Sequence, residues 1–235
     1  MEKDGKSRVM VPRIFHLLSL FLVLNITFQL ISDATAGKII SIFGFGVSVT
    51  VIYFPFVYII SDVVTEVYGY ARARTILCYT MAASIIAGVM YQVAVAVPAA
   101  SFVNTGEAYS TVFGIVPRVL IGGWLAVFAG DISNNYTLAK IKVLMKGRML
   151  WVRTITSTIV GQFANTLVFY IVALSGVIPR NVLIQGIIAG WILKTAVEVI
   201  MTPVTYLVVN WVKRVENVDH YDRDTNFNPF IIRAK

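Results

Sequence analysis

Charge is scarce in this chain: Asp, Glu, Lys and Arg make up 14% of its 235 residues, against roughly a quarter in a soluble domain. A chain so poor in charge does not dress a water-facing globule, and no soluble domain of any size is expected. Cysteine is nearly absent. The lone Cys78 lies in an apolar run, so it forms no intramolecular disulfide and builds no zinc cluster, and it reads as an inert packing residue. The two histidines, His16 and His220, stand near the ends of the sequence. No HExxH, GxSxG or phosphate loop occurs, so hydrolase chemistry, ATP hydrolysis by this chain and any metal or cofactor requirement find no support.

What fills the chain instead is apolar: 57% of residues are hydrophobic and the mean hydropathy is +0.77. The apolar residues fall into runs at Ile14 to Ser32, Ile42 to Ser61, Ile76 to Pro98, Thr111 to Gly130, Ile155 to Ile178 and Gln185 to Val212. Each has the length of roughly 20 residues that a helix needs to cross the hydrocarbon core. The expected fold is an all-α integral membrane protein, a bundle of about six transmembrane helices. The expected organisation is a single membrane domain over 1–235, with a tail at 1–13, the bundle at 14–212 and a second tail at 213–235. The first run precedes Ala34-Thr35-Ala36, a small-residue site resembling that of a signal peptide, but it is longer than a signal core and reads as a retained helix.

The formal net charge of +8 would suit a nucleic-acid binder, but the placement of the charges removes that reading. Sixteen Lys and Arg fall in the two tails and in the second and fourth loops, against Lys38 and Arg180 on the other side. By the positive-inside rule both termini are expected in the cytoplasm. The expected setting is the cell (inner) membrane, with the lipid bilayer as partner, no nucleic acid, and homo-oligomerisation left open.

Ionisable and amide groups inside the runs are costly in lipid and mark a pathway or a site. Asp62 and Glu66 stand four apart, on one helical face, behind an aromatic stretch that includes Phe54 and Tyr58. Either carboxylate serves a ligand, or both are interfacial and pair with Arg72 or Arg74. Arg118 precedes Gly122-Gly123-Trp124, and Lys194 precedes Glu198 by one turn, an order that also permits simple mutual neutralisation. Asp131 heads a polar run read as the end of the fourth span, where a solvated end and a gate are both open. Ser157, Thr158, Gln162, Asn165 and Thr166 make a polar stripe that either ties helices together or, with Phe163 and Phe169, offers amide edges and an aromatic face to a planar ring. Gly186-x-x-x-Gly190 reads as intramolecular helix packing. The pair Asp62 and Asp131 is a poor match to an intramembrane protease, and transport is the better class.

The stretch from Phe54 to Arg74, FPFVYIISDVVTEVYGYARAR, resembles the queuosine-precursor transporter family, also called the vitamin uptake transporter family, whose pattern is FPxxY, DVxTEVYGY and AR. Further matches are Ala36-Gly37-Lys38, Arg118 with Gly122-Gly123-Trp124, Arg153 leading to Ser157-Thr158 and Gln162, then Lys194, Glu198, Pro203, Tyr221-Asp222 and Asn226-Phe227-Asn228-Pro229-Phe230. The resemblance covers the chain from about residue 31 onward. It implies a non-enzymatic importer of 7-deazaguanine bases such as preQ0 and preQ1, used in tRNA modification. A small-molecule, purine-like base asks for a carboxylate for its amine edge, a donor for its O6 and a flat apolar face. The substrate-binding residues expected on this basis are Asp62, Glu66, Arg118, Trp124, Gln162, Asn165, Lys194, Glu198, Phe54 and Tyr58. Two positions depart from the family pattern: Asn165 stands where an aspartate is common, and Asp33 where an asparagine is common. The alternatives are a substrate-binding membrane subunit served by a separate ATPase, and an intramembrane enzyme.

Overall fold

The computed structural model describes residues 15–35, 38–42, 45–103, 105–114, 117–176 and 179–230; the side chains of Phe54 and Arg118, the Ala36-Gly37 pair and the N-terminal tail to residue 14 lie outside the described residues. The element order is α1 (His16–Thr35), a hairpin of β1 (Ile39–Ile42) and β2 (Phe45–Ser48), a 3-10 turn (Val49–Ile52), α2 (Phe54–Tyr68), α3 (Tyr70–Ala96), α4 (Gly106–Phe113), α5 (Pro117–Leu144), α6 (Leu150–Phe169), a π-helical turn (Tyr170–Leu174) and α7 (Arg180–Glu216). Four of the described helices are long and apolar enough to cross a membrane: His16–Thr35, Tyr70–Ala96, Leu150–Leu174 and Leu183–Glu216. These make it a multi-pass, predominantly helical membrane protein.

The second expected span is corrected. Instead of one helix over Ile42 to Ser61, the chain forms an antiparallel hairpin with Ile39 opposite Ser48 and Ile42 opposite Phe45, then a 3-10 turn, and only then a helix of 15 residues. The reason lies in the residues. Ile39, Ile40, Val47, Val49, Thr50 and Val51 are β-branched and Gly46 costs a helix interior about 1 kcal/mol, whereas Pro55 is suited to the first helical turn of α2.

The fourth span is also longer than expected. Rather than ending at Gly130, α5 runs 28 residues to Leu144, so Asp131 sits in mid-helix. Its buried positions, Gly130, Asp131, Asn134, Asn135, Leu138, Ala139 and Lys142, keep helical spacing to the end.

At the centre stands α2. Val57, Tyr58, Val63, Val64, Val67 and Tyr68 are 0–2% exposed, so from Val57 onward this short helix is enclosed, packed by α1, α3, α5 and α7. Its break from α3 depends on Gly69 at φ +90°, where an added Cβ would lie 2.3 Å from the ring of His220. The tail after α7 returns to this break. Asp222 accepts hydrogen bonds from the Tyr70 amide at 3.1 and 3.2 Å, and Arg74 donates to the carbonyls of Asn226 and Asn228 at 2.8 and 2.6 Å. Phe227 packs on Tyr70 and Tyr136, and Phe230 on Phe128. The tail thus lays its aromatics against the end of the bundle.

Candidate functional site

Where α2, α5, α6 and α7 meet, the bundle interior is polar. On α2 the buried side chains Tyr58, Ser61, Asp62 and Thr65 follow one another at helical spacing, as do Asp131, Asn134 and Asn135 on α5 and Thr158, Gln162, Asn165 and Thr166 on α6. Ser61 donates to Asn135 Oδ1 at 2.9 Å, and Asn134 Nδ2 donates to Asp62 Oδ1 at 2.6 Å. Across the seam to α7, Thr158 and Gln162 each donate to one oxygen of Glu198, both at 2.9 Å. Lys194 Nζ donates to Asn165 Oδ1 at 2.8 Å. The carboxylates of Asp62, Asp131 and Glu198 lie within electrostatic reach of one another and of the Tyr58 hydroxyl.

Glycine makes this crossing close. A Cβ on Gly130 would lie 2.7 Å from Asn165 Cβ and 3.0 Å from the Tyr58 hydroxyl, and one on Gly161 would lie 2.7 Å from Asn134 Cβ and 3.0 Å from the Gly130 carbonyl. The α5 and α6 backbones therefore approach within contact distance at the two glycines.

A second network lies between α1, α3 and α5. Trp124 Nε1 donates to Ser84 Oγ at 2.9 Å, Ser84 donates to Asp33, and Gln29 donates to the other Asp33 oxygen at 2.9 Å. Thr80 donates to Asn25 at 3.0 Å in the same layer. Between α1 and α3 there is also a cavity of about 240 Å³ lined by Leu18, Ser19, Leu22, Arg72, Thr75, Ile76 and Tyr79. None of the expected binding residues borders it.

A third network closes the end of the bundle at which the tail docks. Glu66, fully buried, takes Arg153 on one oxygen at 2.7 Å and Lys213 at 2.7 Å and Lys142 at 3.4 Å on the other. Lys142 and Lys213 also reach Asp219, and Lys142 donates to the Glu66 and His220 carbonyls. Burial works to raise the Asp219 carboxyl, but its hydrogen bonds and charge pairing with Lys142 and Lys213 outweigh that and hold it below the ordinary 3.8.

Residues 48–208 match the family described as "Putative vitamin uptake transporter". The chain belongs to this family. It is 30% identical over 171 residues, covering 72% of its own length and 74% of the relative's, to a protein of Bacillus subtilis (strain 168) named "Probable queuosine precursor transporter". No solved structure is a significant match to the chain.

Within this member of the vitamin uptake transporter family, the structure brings together six of the ten expected residues: Tyr58, Asp62, Gln162, Asn165, Lys194 and Glu198. Glu66 is engaged by three cations from α5, α6 and α7. Its partners are not the nearby Arg72 and Arg74, which hold the Tyr68 carbonyl and the tail. Trp124 faces Ser84 and Gly88 on α3. Phe54 and Arg118 belong to α2 and α5, with side chains outside the described residues. Gly186 packs against the Tyr170 ring and Gly190 against Thr166 and Tyr170, so that motif serves packing within the chain. Residues that sequence reasoning left out of the site are Asp131, read only as a span end or a gate, and Asn134 and Asn135, whose signal was their spacing of three and four from Asp131.

Proposed function

We propose that this chain is an importer of a queuosine precursor, a 7-deazaguanine base such as preQ0 or preQ1, acting in the cell membrane and catalysing no reaction. The observation that carries the reading is the set of buried carboxylate and amide side chains where α2, α5, α6 and α7 meet, in a chain of this family. A guanine-like base has donors on its N1 and amine edge, an acceptor at O6 and an apolar face. It exchanges its bonds to water for bonds to those groups, and a site that offers them rejects analogues lacking the matching atoms. Tyr58, Asp62, Gln162, Asn165, Lys194 and Glu198 form the core of this proposed site. Arg118, Trp124 and Phe54 belong to its approaches, and Glu66 acts in it through the helix ends that it holds.

In this reading the chain is one membrane domain that crosses six times, with α2 taking the place of the second expected span. Both termini are cytoplasmic, because sixteen of the basic residues then face the cytoplasm and two the outside. Reporter fusions at either end are expected to register cytoplasm, and a periplasmic signal from the C-terminal fusion would overturn the topology.

The functional test is restoration of queuosine in the tRNA of a strain that cannot make the precursor, supplied with each candidate base, together with uptake into liposomes holding this chain alone. Uptake without ATP is expected. A requirement for a second, ATP-hydrolysing protein would replace the reading with an energy-coupled importer, and a chemically altered base inside the liposomes with an enzyme.

A further inference from the structure

The hydrogen bonds already made in the site determine which edges remain free. Lys194 can only donate, so Asn165 turns its oxygen to the lysine and leaves its NH2 without a partner. Glu198 accepts from Gln162, so the Gln162 oxygen is left over. By the same logic Asn134 gives its NH2 to Asp62 and keeps a free oxygen, and Asn135 accepts from Ser61 and keeps a free NH2. Asp131 is the extreme case. It is 3% exposed, and its Oδ1 has no hydrogen-bond partner. Both oxygens of Glu198 and one of Asp62 are already engaged within the bundle.

A buried polar atom without a partner is destabilising, and five of them on neighbouring helices are a pattern that a ligand can relieve. The free set comprises three acceptors, Asp131 Oδ1, Asn134 Oδ1 and Gln162 Oε1, and two donors, Asn135 Nδ2 and Asn165 Nδ2. The unpartnered hydroxyls of Thr166 and Thr195 accompany them. A guanine-class base has donors at N1, the 2-amino group and the ring N–H corresponding to N9, and acceptors at O6 and N3. Its donors and acceptors match that set in kind. An adenine-class base has no N1–H and no 2-amino group, and would turn ring nitrogen lone pairs toward a carboxylate.

We infer that Asp131 is the specificity-determining carboxylate of the site, accepting the N1–H and 2-amino donors of a guanine-class base while the free Asn165 amide donates to its O6. The inference rests on the transport reading above and deepens it. The close passage of α5 over α6 at Gly130 and Gly161 brings the turn of α5 that carries Asp131 against the turn of α6 that carries Asn165, so both groups belong to the same crossing. Asp62, tied to Asn134, orients the amide next to Asp131.

The test measures binding of 7-cyano-7-deazaguanine, and of the same base lacking its 2-amino group, to the full chain in nanodiscs. The proteins compared are wild type, Asp131→Asn, Asp131→Ser and Asp62→Asn. Wild type is expected to prefer the amino compound. Both Asp131 variants are expected to bind it roughly 10- to 100-fold more weakly, with less than about threefold change for the des-amino base. Asp131→Ser covers the case in which the asparagine variant does not fold. Equal loss for both ligands in the Asp131 variants, or ligand-selective loss in Asp62→Asn alone, would overturn the assignment while leaving the transport reading intact. Failure of the wild type to bind either base would overturn both.

Discussion

Glu66→Gln is the substitution whose cost the geometry defines best. The side chain is 0% exposed, two of its partners, Lys142 and Arg153, are 1% exposed, and the third, Lys213, is 22% exposed. Neutralising it leaves three cations facing one carboxylate, Asp219, which is 42% exposed. The lysines keep that second partner, whereas Arg153 keeps only the Gly147 carbonyl, at 3.1 Å, for its guanidinium. The expected loss is the cost of breaking a buried ion pair, about 3–5 kcal/mol. For a chain of this size that corresponds to a fall in Tm of roughly 10 °C. Thermal unfolding of the purified protein, followed by intrinsic fluorescence in one detergent at fixed salt, reads it directly. Arg153→Gln should cost less, because Glu66 retains two lysines. The double variant should cost less than the sum of the singles, since the second change removes the charge that the first one stranded. A Glu66→Gln Tm within about 2 °C of wild type, or strict additivity of the pair, would refute the idea that this carboxylate clamps the ends of α5, α6 and α7 together.

Other expectations follow from the same contacts. Exchanging Lys194 and Glu198 should abolish uptake in normally expressed protein, because each charge has its own partners on α6; wild-type uptake would reduce the pair to mutual neutralisation. Gly161→Ala should lower Tm by several degrees through an overpacking cost of about 1–3 kcal/mol, since the new methyl meets Asn134 and the Gly130 carbonyl; an unchanged Tm would mean that α5 and α6 are not in contact there. Asp219→Asn should destabilise the protein modestly at neutral pH. The folded carboxyl titrates below its ordinary 3.8, so its contribution is present above that value and fades as pH falls through the folded pKa. The Tm gap between wild type and variant should therefore hold above pH 3.8 and narrow as pH falls below it, and a gap that does not narrow on acidification would contradict the pairing with Lys142 and Lys213.

How much of this was legible in the sequence depended on which physical signal each element carries. The four strongly apolar helices announce themselves by length and hydropathy. The hairpin at 39–48 did not, because a window average cannot distinguish a β-branched apolar run that crosses as helix from one that pairs with itself. Nor did the ion cluster. The obvious partners of Glu66 were arginines a few residues away, but the ones it has are 76, 87 and 147 residues distant, brought in by helix packing that no local pattern encodes.

The misplacement of Asp131 has a more instructive cause. A hydropathy window stops a span where polar residues begin, and after Gly130 they begin at once: Asp131, Ser133, Asn134, Asn135. Yet in a bundle whose surroundings are lipid many apolar side chains face outward, and parts of the interior are free to be polar. On α7 the exposed large residues include Ile188, Ile192, Ile200, Leu207 and Trp211, while Glu198 and Thr205 are buried. On α5 Ile121, Leu125 and Leu144 are exposed while Asp131, Asn134, Asn135 and Lys142 are not. Polar residues at positions i, i+3, i+4 and i+11 are therefore the inward face of a continuing helix, marked by the same 3.6-residue period that apolar residues mark in water. Read with that inversion, the run after Gly130 is the polar lining of the bundle, and Asp131 is the first residue of that lining rather than the end of a span.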